Sequence, residues 1–247
     1  MSRIAALGGR RAVLEAIRAG TAGRVFVAHG ARLTPGLREV LDAAAAAEVE
    51  VRRVERADLD RLAPDHHGVV AETRLPEPIG ERELAGRRFG IDAIVVVLDG
   101  IEDPHNLGAA ARSAVAAGAE LLVTRTRRSA DVTPAAVRAS AGALLHLSHA
   151  RVANIPRALE RLKGAGFTII GLDERAPSSV YEAPAPEGRI AVVLGSEGQG
   201  LARLTREACD LLVSLPMRGR VGSLNASAAL AAFLFAFVLP RRPGGGA

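Results

Sequence analysis

The stretch Ile190-Ala-Val-Val-Leu-Gly-Ser-Glu-Gly-Gln-Gly-Leu201 joins five apolar residues to a loop carrying Gly195, Gly198 and Gly200. An apolar run without polar alternation is a strand covered on both faces, as in a parallel sheet. Similar runs stand at 94–98, 121–124, 167–172 and 211–215, separated by helical stretches. This alternation predicts an α/β domain with a parallel sheet over residues 91–240. Such sheets bind ligands in the loops beyond the carboxyl ends of their strands, so the chemistry is sought there.

Upstream, helix-like segments at 9–19, 33–47 and 56–62 alternate with strand-like segments at 25–28, 49–54 and 69–72, which predicts a small α/β domain over residues 1–73. Residues 74–90 are rich in proline, glycine and charge and lack steady periodicity, so they are read as a linker. On this division a fragment beginning near Arg88 is expected to fold and keep the ligand loops. Residues 241–247 are expected to be a disordered tail.

Of the 247 residues 49% are hydrophobic and 24% charged, which excludes wholesale disorder. The single cysteine, Cys209, excludes an internal disulfide, and no Cys/His group has zinc-ligand spacing, so no metal is expected. The longest apolar stretch, 226–239, falls short of the ~20 residues that span a bilayer. No signal peptide is read at the N-terminus. The expectation is a soluble, cytoplasmic protein that engages no membrane. The net charge of +5 favours polyanionic partners. Its basic residues are almost all arginine, whose planar fork suits phosphate better than an ammonium does. Only 3% of residues are aromatic and none is tryptophan, which argues against a stacking platform for single strands. Neither a P-loop, nor a dinucleotide fingerprint, nor a nucleophile elbow is present.

Three loops remain. The first runs from Asp99 through Asp103, Pro104 and Asn106 to Arg112, with Asn106 a candidate helix N-cap and Arg112 isolated among alanines. In the second, Leu194 to Leu201, the glycines permit positive φ and close backbone approach to a ligand, beside Glu197. The third runs from Leu215 and Met217 past Arg218 and Arg220 to Ser223, Leu224 and Asn225, where Ser223 or Asn225 could cap the apolar helix that follows.

In order and spacing these loops resemble the three motifs of the SpoU/TrmH family of RNA ribose 2′-O-methyltransferases, in the SPOUT superfamily. Asn106-Leu-Gly-Ala-Ala-Ala-Arg112 is similar to motif one. Val193 to Gly200 is similar to motif two, and Leu215-Pro-Met with Ser223-Leu-Asn-Ala-Ser227 to motif three. Residues 9–17 and 67–71 resemble the ribosomal-protein-like RNA-binding domain of the RlmB branch, which methylates a guanosine ribose of 23S ribosomal RNA. Thiostrepton-resistance methyltransferases have a similar layout.

The resemblance implies a deep C-terminal trefoil knot, which general topology rules would not anticipate. It also implies a homodimer, S-adenosylmethionine as cofactor and ribosomal RNA as substrate. Arg112, Asn106, Glu197, Ser223 and Asn225 are implied as catalytic. Thr124, Leu194, Gly195, Gly200, Leu215, Met217, Ser223 and Leu224 are implied as cofactor-binding. Arg10, Arg11, Arg18, Arg218 and Arg220 are candidate RNA contacts, and Arg3 and Arg24 lie in the same N-terminal basic cluster. His66, His67, His146 and His149 are read as structural or surface residues. The alternatives are a transfer RNA or other ribosomal RNA methyltransferase, an inactive RNA-binding relative, and another nucleotide-binding α/β enzyme.

Overall fold

Strand β1 (Ile4–Gly8) opens the chain, followed by α1 (Arg10–Arg18), β2 (Ala22–Ala28), α2 (Pro35–Ala46), β3 (Glu50–Val54), α3 (Arg56–Leu62) and β4 (Val69–Arg74). The computed structural model describes residues 3–184, 187–196, 198–220 and 222–241. These strands form a four-stranded sheet in the order β1-β4-β2-β3, with β2 and β3 parallel and β4 antiparallel to both neighbours. Val25, Val27, Val69 and Ala71 of the sheet pack against Val13, Leu14 and Ile17 of α1 and Leu37, Val40 and Ala44 of α2. β1 is an edge strand of sequence Ile-Ala-Ala-Leu-Gly whose Ile4 stays exposed.

The remaining elements are α4 (Glu81–Gly86), β5 (Ile94–Asp99), α5 (Pro104–Ala116), β6 (Ala119–Arg125), α6 (Pro134–Ala139), β7 (Ser148–Val152), α7 (Ile155–Gly164), β8 (Phe167–Leu172), β9 (Ser178–Ser179), β10 (Arg189–Gly195), α8 (Arg203–Glu207), β11 (Leu211–Ser214) and α9 (Ala226–Phe233). The larger sheet has the order β7-β6-β5-β10-β8-β11-β9, and every pairing in it is parallel, as the unbroken apolar runs predict. β5 is buried along its whole length.

The chain divides into two compact units, residues 1–77 with Asp131–His146, and Pro78–Ala130 with 147–247. Arg74 completes β4, Ile79 pairs with Ala150, and α4 places Leu84 in the core of the second unit beside Val95, Leu159 and Phe167. The segment read as linker therefore carries ordered structure, with Ile79, Leu84 and Phe89 packed in the second unit among its charges.

Helix starts follow a repeated local rule in which a capping side chain precedes proline. Thr34, Asp103 and Thr133 accept from Leu37, His105 and Ala136 N–H groups, with proline next in each case. The cap of α5 is thus Asp103 rather than Asn106, because Pro104 already occupies the first helical position. The apolar run 226–239, expected as one helix, leaves α geometry after Phe233 for a π-helical turn over Leu234–Val238. Phe233 and Phe237 stack at 5.1 Å in the core, while Phe235 remains exposed. Of residues 241–247, expected as the disordered tail, Arg241 ends a 3₁₀ turn over Leu239–Arg241, and 242–247 lie outside the described residues.

Candidate functional site

A cleft of about 580 Å³ lies where β8 and β10 end and the chain approaches α9. Its shape depends on Gly195. A Cβ there would sit 2.1 Å from the carbonyl carbon of Gly200, too close for any other residue. Ser196 and Gly200 exchange both backbone hydrogen bonds, at 3.1 and 2.9 Å, and fold the loop back on itself. Gly198 and Gly200 take positive φ of 77° and 67°, so each of the three glycines has a steric or dihedral reason. Glu197, assigned a catalytic part from the motif, lies outside the described residues.

Leu194, Gly195, Gly200, Leu215, Met217, Ser223, Leu224 and Asn225 all line this cleft. The wall they leave open comes from Leu172, Asp173 and Glu174 after β8, which the sequence pattern does not mark because that loop has no glycine. Asp173 is buried and accepts from the Arg175 N–H at 2.8 Å, with the guanidinium nitrogens of Arg175 and Arg206 at 3.6 and 3.4 Å. The two cations offset the desolvation of a buried carboxylate.

A second cleft, about 820 Å³, shares Ser196 and Gly200 with the first and is lined also by Asp99, Asn106, Arg125, Arg128 and Arg203. The buried Asp99 carboxylate accepts from Thr205 Oγ1 at 2.6 Å and faces Arg125 at 3.5 Å. Asn225 ties the two clefts together. Its Oδ1 accepts from the Ser227 N–H at 3.0 Å, capping α9, while its Nδ2 donates to Asn106 Oδ1 at 2.9 Å. One side chain thus fixes the start of α9 against α5.

Two residues of the motif set stand apart. Thr124 is fully buried on β6, with its hydroxyl 2.8 Å from His149 Nε2, and lines neither cleft. Arg112 is exposed on α5 and also lines neither. Arg218 and Arg220 are exposed beside the first cleft, without an ion-pair partner among the described residues. Arg10 and Arg11 border a cavity of the first unit, whereas Arg18 is engaged by Glu15 at 3.0 Å and Glu39 at 2.9 Å. Burial pushes the thiol of Cys209 up to about 12, which makes it a poor nucleophile. No group of metal-ligating side chains occurs among the described residues.

A parallel sheet whose glycine loop closes over a backbone-lined cleft at its carboxyl edge defines an α/β protein built to hold a small cofactor. Residues 93–235 match the model of the SpoU rRNA methylase family, and residues 7–79 match that of the RNA 2′-O ribose methyltransferase substrate-binding domain. An uncharacterized tRNA/rRNA methyltransferase of Mycolicibacterium vanbaalenii is 40% identical over 95% of this chain and 76% of its own length. The 23S rRNA (guanosine-2′-O-)-methyltransferase RlmB of Pseudomonas putida is 37% identical over 89% of both chains. The crystal structure of the SpoU methyltransferase AviRb from Streptomyces viridochromogenes, in complex with AdoMet, superposes with a TM-score of 0.75. It is 29% identical and covers 96% of this chain and 90% of that one. The chain belongs to the SpoU rRNA methylase family. Its activity is the S-adenosylmethionine-dependent methylation of an RNA ribose 2′-hydroxyl.

Proposed function

We propose that the chain methylates a guanosine ribose of 23S ribosomal RNA in the cytoplasm, acting as a homodimer. The observation that carries the reading is the Gly195 cradle, closed on Gly200 and joined to α5 through Asn225 and Asn106. The likeness to the Pseudomonas putida enzyme along nearly the whole chain supports the guanosine.

The residues present fit the cofactor. The close approach of Gly195 to Gly200 leaves no room for a side chain there, so the backbone itself forms that part of the cleft, as recognition of an adenine edge without side chains requires. Leu194, Gly195, Gly200, Leu215, Met217, Ser223 and Leu224 would hold it, while Thr124 acts from behind by fixing β6 through His149. When bound, S-adenosylmethionine supplies an electrophilic methyl group. The 2′-oxygen becomes an adequate nucleophile only as its proton leaves or its developing charge is stabilised. A guanidinium with pKa above ~12 is a poor base, so Arg112 is assigned to stabilising the alkoxide and anchoring the adjacent phosphate. Asn106, Ser223 and Asn225 position the ribose, and Glu197 holds the arginine or the substrate. Arg10, Arg11, Arg218 and Arg220 supply phosphate contacts, and Arg18 joins them only by exchanging Glu15 and Glu39 for a phosphate.

Arg112 is exposed and lines neither cleft of its own chain, so a second copy that brings its Arg112 to the cofactor completes the site. In the sheet, β11 is separated from β5 by β8 and β10, yet α9 packs on α5, so the intervening chain crosses the carboxyl ends of β8 and β10. That crossing supports the trefoil knot. Mass-spectrometric mapping of 23S ribosomal RNA from a deletion strain tests the proposal. Loss of a single 2′-O-methylguanosine is expected, and an unchanged set of ribose methylations in 23S RNA would overturn it.

A further inference from the structure

The first unit contains a cavity of about 360 Å³ whose walls come from three separate stretches, residues 8–12, the pair Asp65 and His67, and the pair Arg138 and Ala141. Three arginines line it, Arg10, Arg11 and Arg138. Among the described residues, some other arginines of this unit are held by carboxylates, while Arg32, Arg38, Arg53, Arg56 and Arg74 have none within ion-pair distance. Arg3 pairs with Asp131, Arg18 with Glu15 and Glu39, Arg24 with Glu50 and Arg61 with Asp58. The three around the cavity have no carboxylate within ion-pair distance among the described residues, and Arg10 Nε is buried without a hydrogen-bond partner. Asp65 is the acid in the lining, against three cations.

The backbone supports the same reading. Helix α1 begins at the cavity with Gly9 at φ 100°, no side-chain cap and no acid in its first turn, so its N-terminal end can accept an anion. The floor is made of Gly8, Gly9, Ala12 and Ala141, which lets a ligand reach that backbone closely. A Cβ on Gly8 would lie 3.0 Å from the His66 Cα, a contact so tight that the neighbouring wall would have to give way by a few tenths of an ångström. Asp65, His67 and Ala141 hold positive φ of 54°, 50° and 51°, a conformation in which Asp and His are enriched and which costs more at Ala141. Buried His66 keeps that wall in place, with Nδ1 accepting from the Gly68 N–H at 2.9 Å and Nε2 lying 2.8 Å from Asp60.

We propose that this cavity is a phosphodiester-binding site for the RNA substrate, in which the forks of Arg10, Arg11 and Arg138 and the open end of α1 hold one backbone phosphate. The proposal rests on the reading of the chain as an RNA methyltransferase. It assigns Arg138, outside the N-terminal stretch altogether, to substrate binding, and separates a built site from the diffuse positive charge of the unit.

The test uses the full-length protein and a 23S ribosomal RNA fragment, with dissociation constants measured from about 50 to 200 mM salt. Arg138→Gln and Arg11→Gln are each expected to weaken RNA binding at least about threefold and to lower the slope of log affinity against log salt by a measurable share of the about 0.7–0.9 that one phosphate contributes. Affinity for S-adenosylmethionine should stay at the wild-type value, which also reports that the variants fold. Arg61→Gln removes an exposed charge of the same unit outside the cavity and should leave the slope unchanged. Wild-type slopes for both cavity variants, or an equal loss from Arg61→Gln, would overturn the site. If the wild-type protein binds the fragment but transfers no methyl group, the reading of the activity fails while the slopes still decide the cavity.

Discussion

At Gly195 a single missing carbon decides whether the cofactor cleft exists. A Cβ at that position meets backbone, which no rotamer change can relieve. Gly195→Ala should therefore cost at least about 1–3 kcal/mol of stability and lower S-adenosylmethionine affinity more than about tenfold, read by calorimetric titration. Wild-type affinity in a folded Gly195→Ala protein would show that the loop has another way to close. Arg112 is the opposite case, since it is exposed and lines neither cleft of its own chain. Arg112→Ala should slow methyl transfer by ~10²–10³ and leave cofactor affinity within a few-fold of wild type. Retention of the wild-type single-turnover rate would remove Arg112 from the mechanism. The glycines were legible in the sequence because their spacing is a backbone requirement. Asp173 was not, because a buried carboxylate between Arg175 and Arg206 is visible only after folding brings α8 to the end of β8.

Asn225 acts between elements, capping α9 through one amide atom and holding α5 through the other. The two functions separate by substitution. Asn225→Ala should lose about 1 kcal/mol of stability with the cap, and activity with the link to Asn106. Asn225→Asp keeps the capping oxygen but has no donor for Asn106, so it should melt near wild type yet remain impaired in turnover. Equal activity of Asn225→Asp and wild type would show that the link is dispensable. Cys209 closes the seam between α8 and β8, where a Cβ on Gly171 would lie 2.8 Å from its sulfur. Its thiol, pushed up to about 12 chiefly by burial, keeps its proton in the folded protein while the unfolded chain ionises near the ordinary thiol range. The contribution to stability is therefore full below about pH 9 and is lost as pH rises toward about 12. Iodoacetamide at about pH 8 should label Cys209 slowly in the native protein and readily in urea; rapid native labelling would contradict that burial. Helix starts and central strands were legible as cap-and-proline pairs and unbroken apolar runs. The edge strand β7 was not, since Ser148, His149 and Arg151 break the apolar pattern and the pairing of His149 with Thr124 forms only in the folded sheet.

The two units of the molecule are not two segments of sequence, because Asp131–His146 belongs with the N-terminal unit. Nothing in the composition of residues 91–240 marks that excursion, since α6 follows the same threonine-and-proline rule as other helices and is as rich in alanine as its surroundings. Its tertiary role is specific. α6 buries Ala136 and Val137 and packs on β1, Arg3 pairs with Asp131 at 3.3 Å, and His146 pairs with Glu15 at 2.9 Å. At the other boundary, Ile79 pairs with Ala150 and Leu84 enters the core of the second unit. A fragment beginning near Arg88 thus loses Leu84 and strands the 131–146 segment without its partners. We predict that it melts below a fragment beginning at Pro78, by the about 2–5 kcal/mol expected for removing a buried leucine side chain. Both fragments should bind a hydrophobic dye through Ala136, Val137 and Leu144. Replacing residues 131–146 in the longer fragment with a Gly-Ser linker of about a dozen residues, the length a parallel crossover from β6 to β7 needs, should abolish the dye signal. S-adenosylmethionine affinity should persist, because every residue lining the cofactor cleft lies between Leu172 and Ala229. Equal melting of the two fragments with no dye binding would show that the excursion and α4 are accessory to the second unit rather than part of the division of the chain.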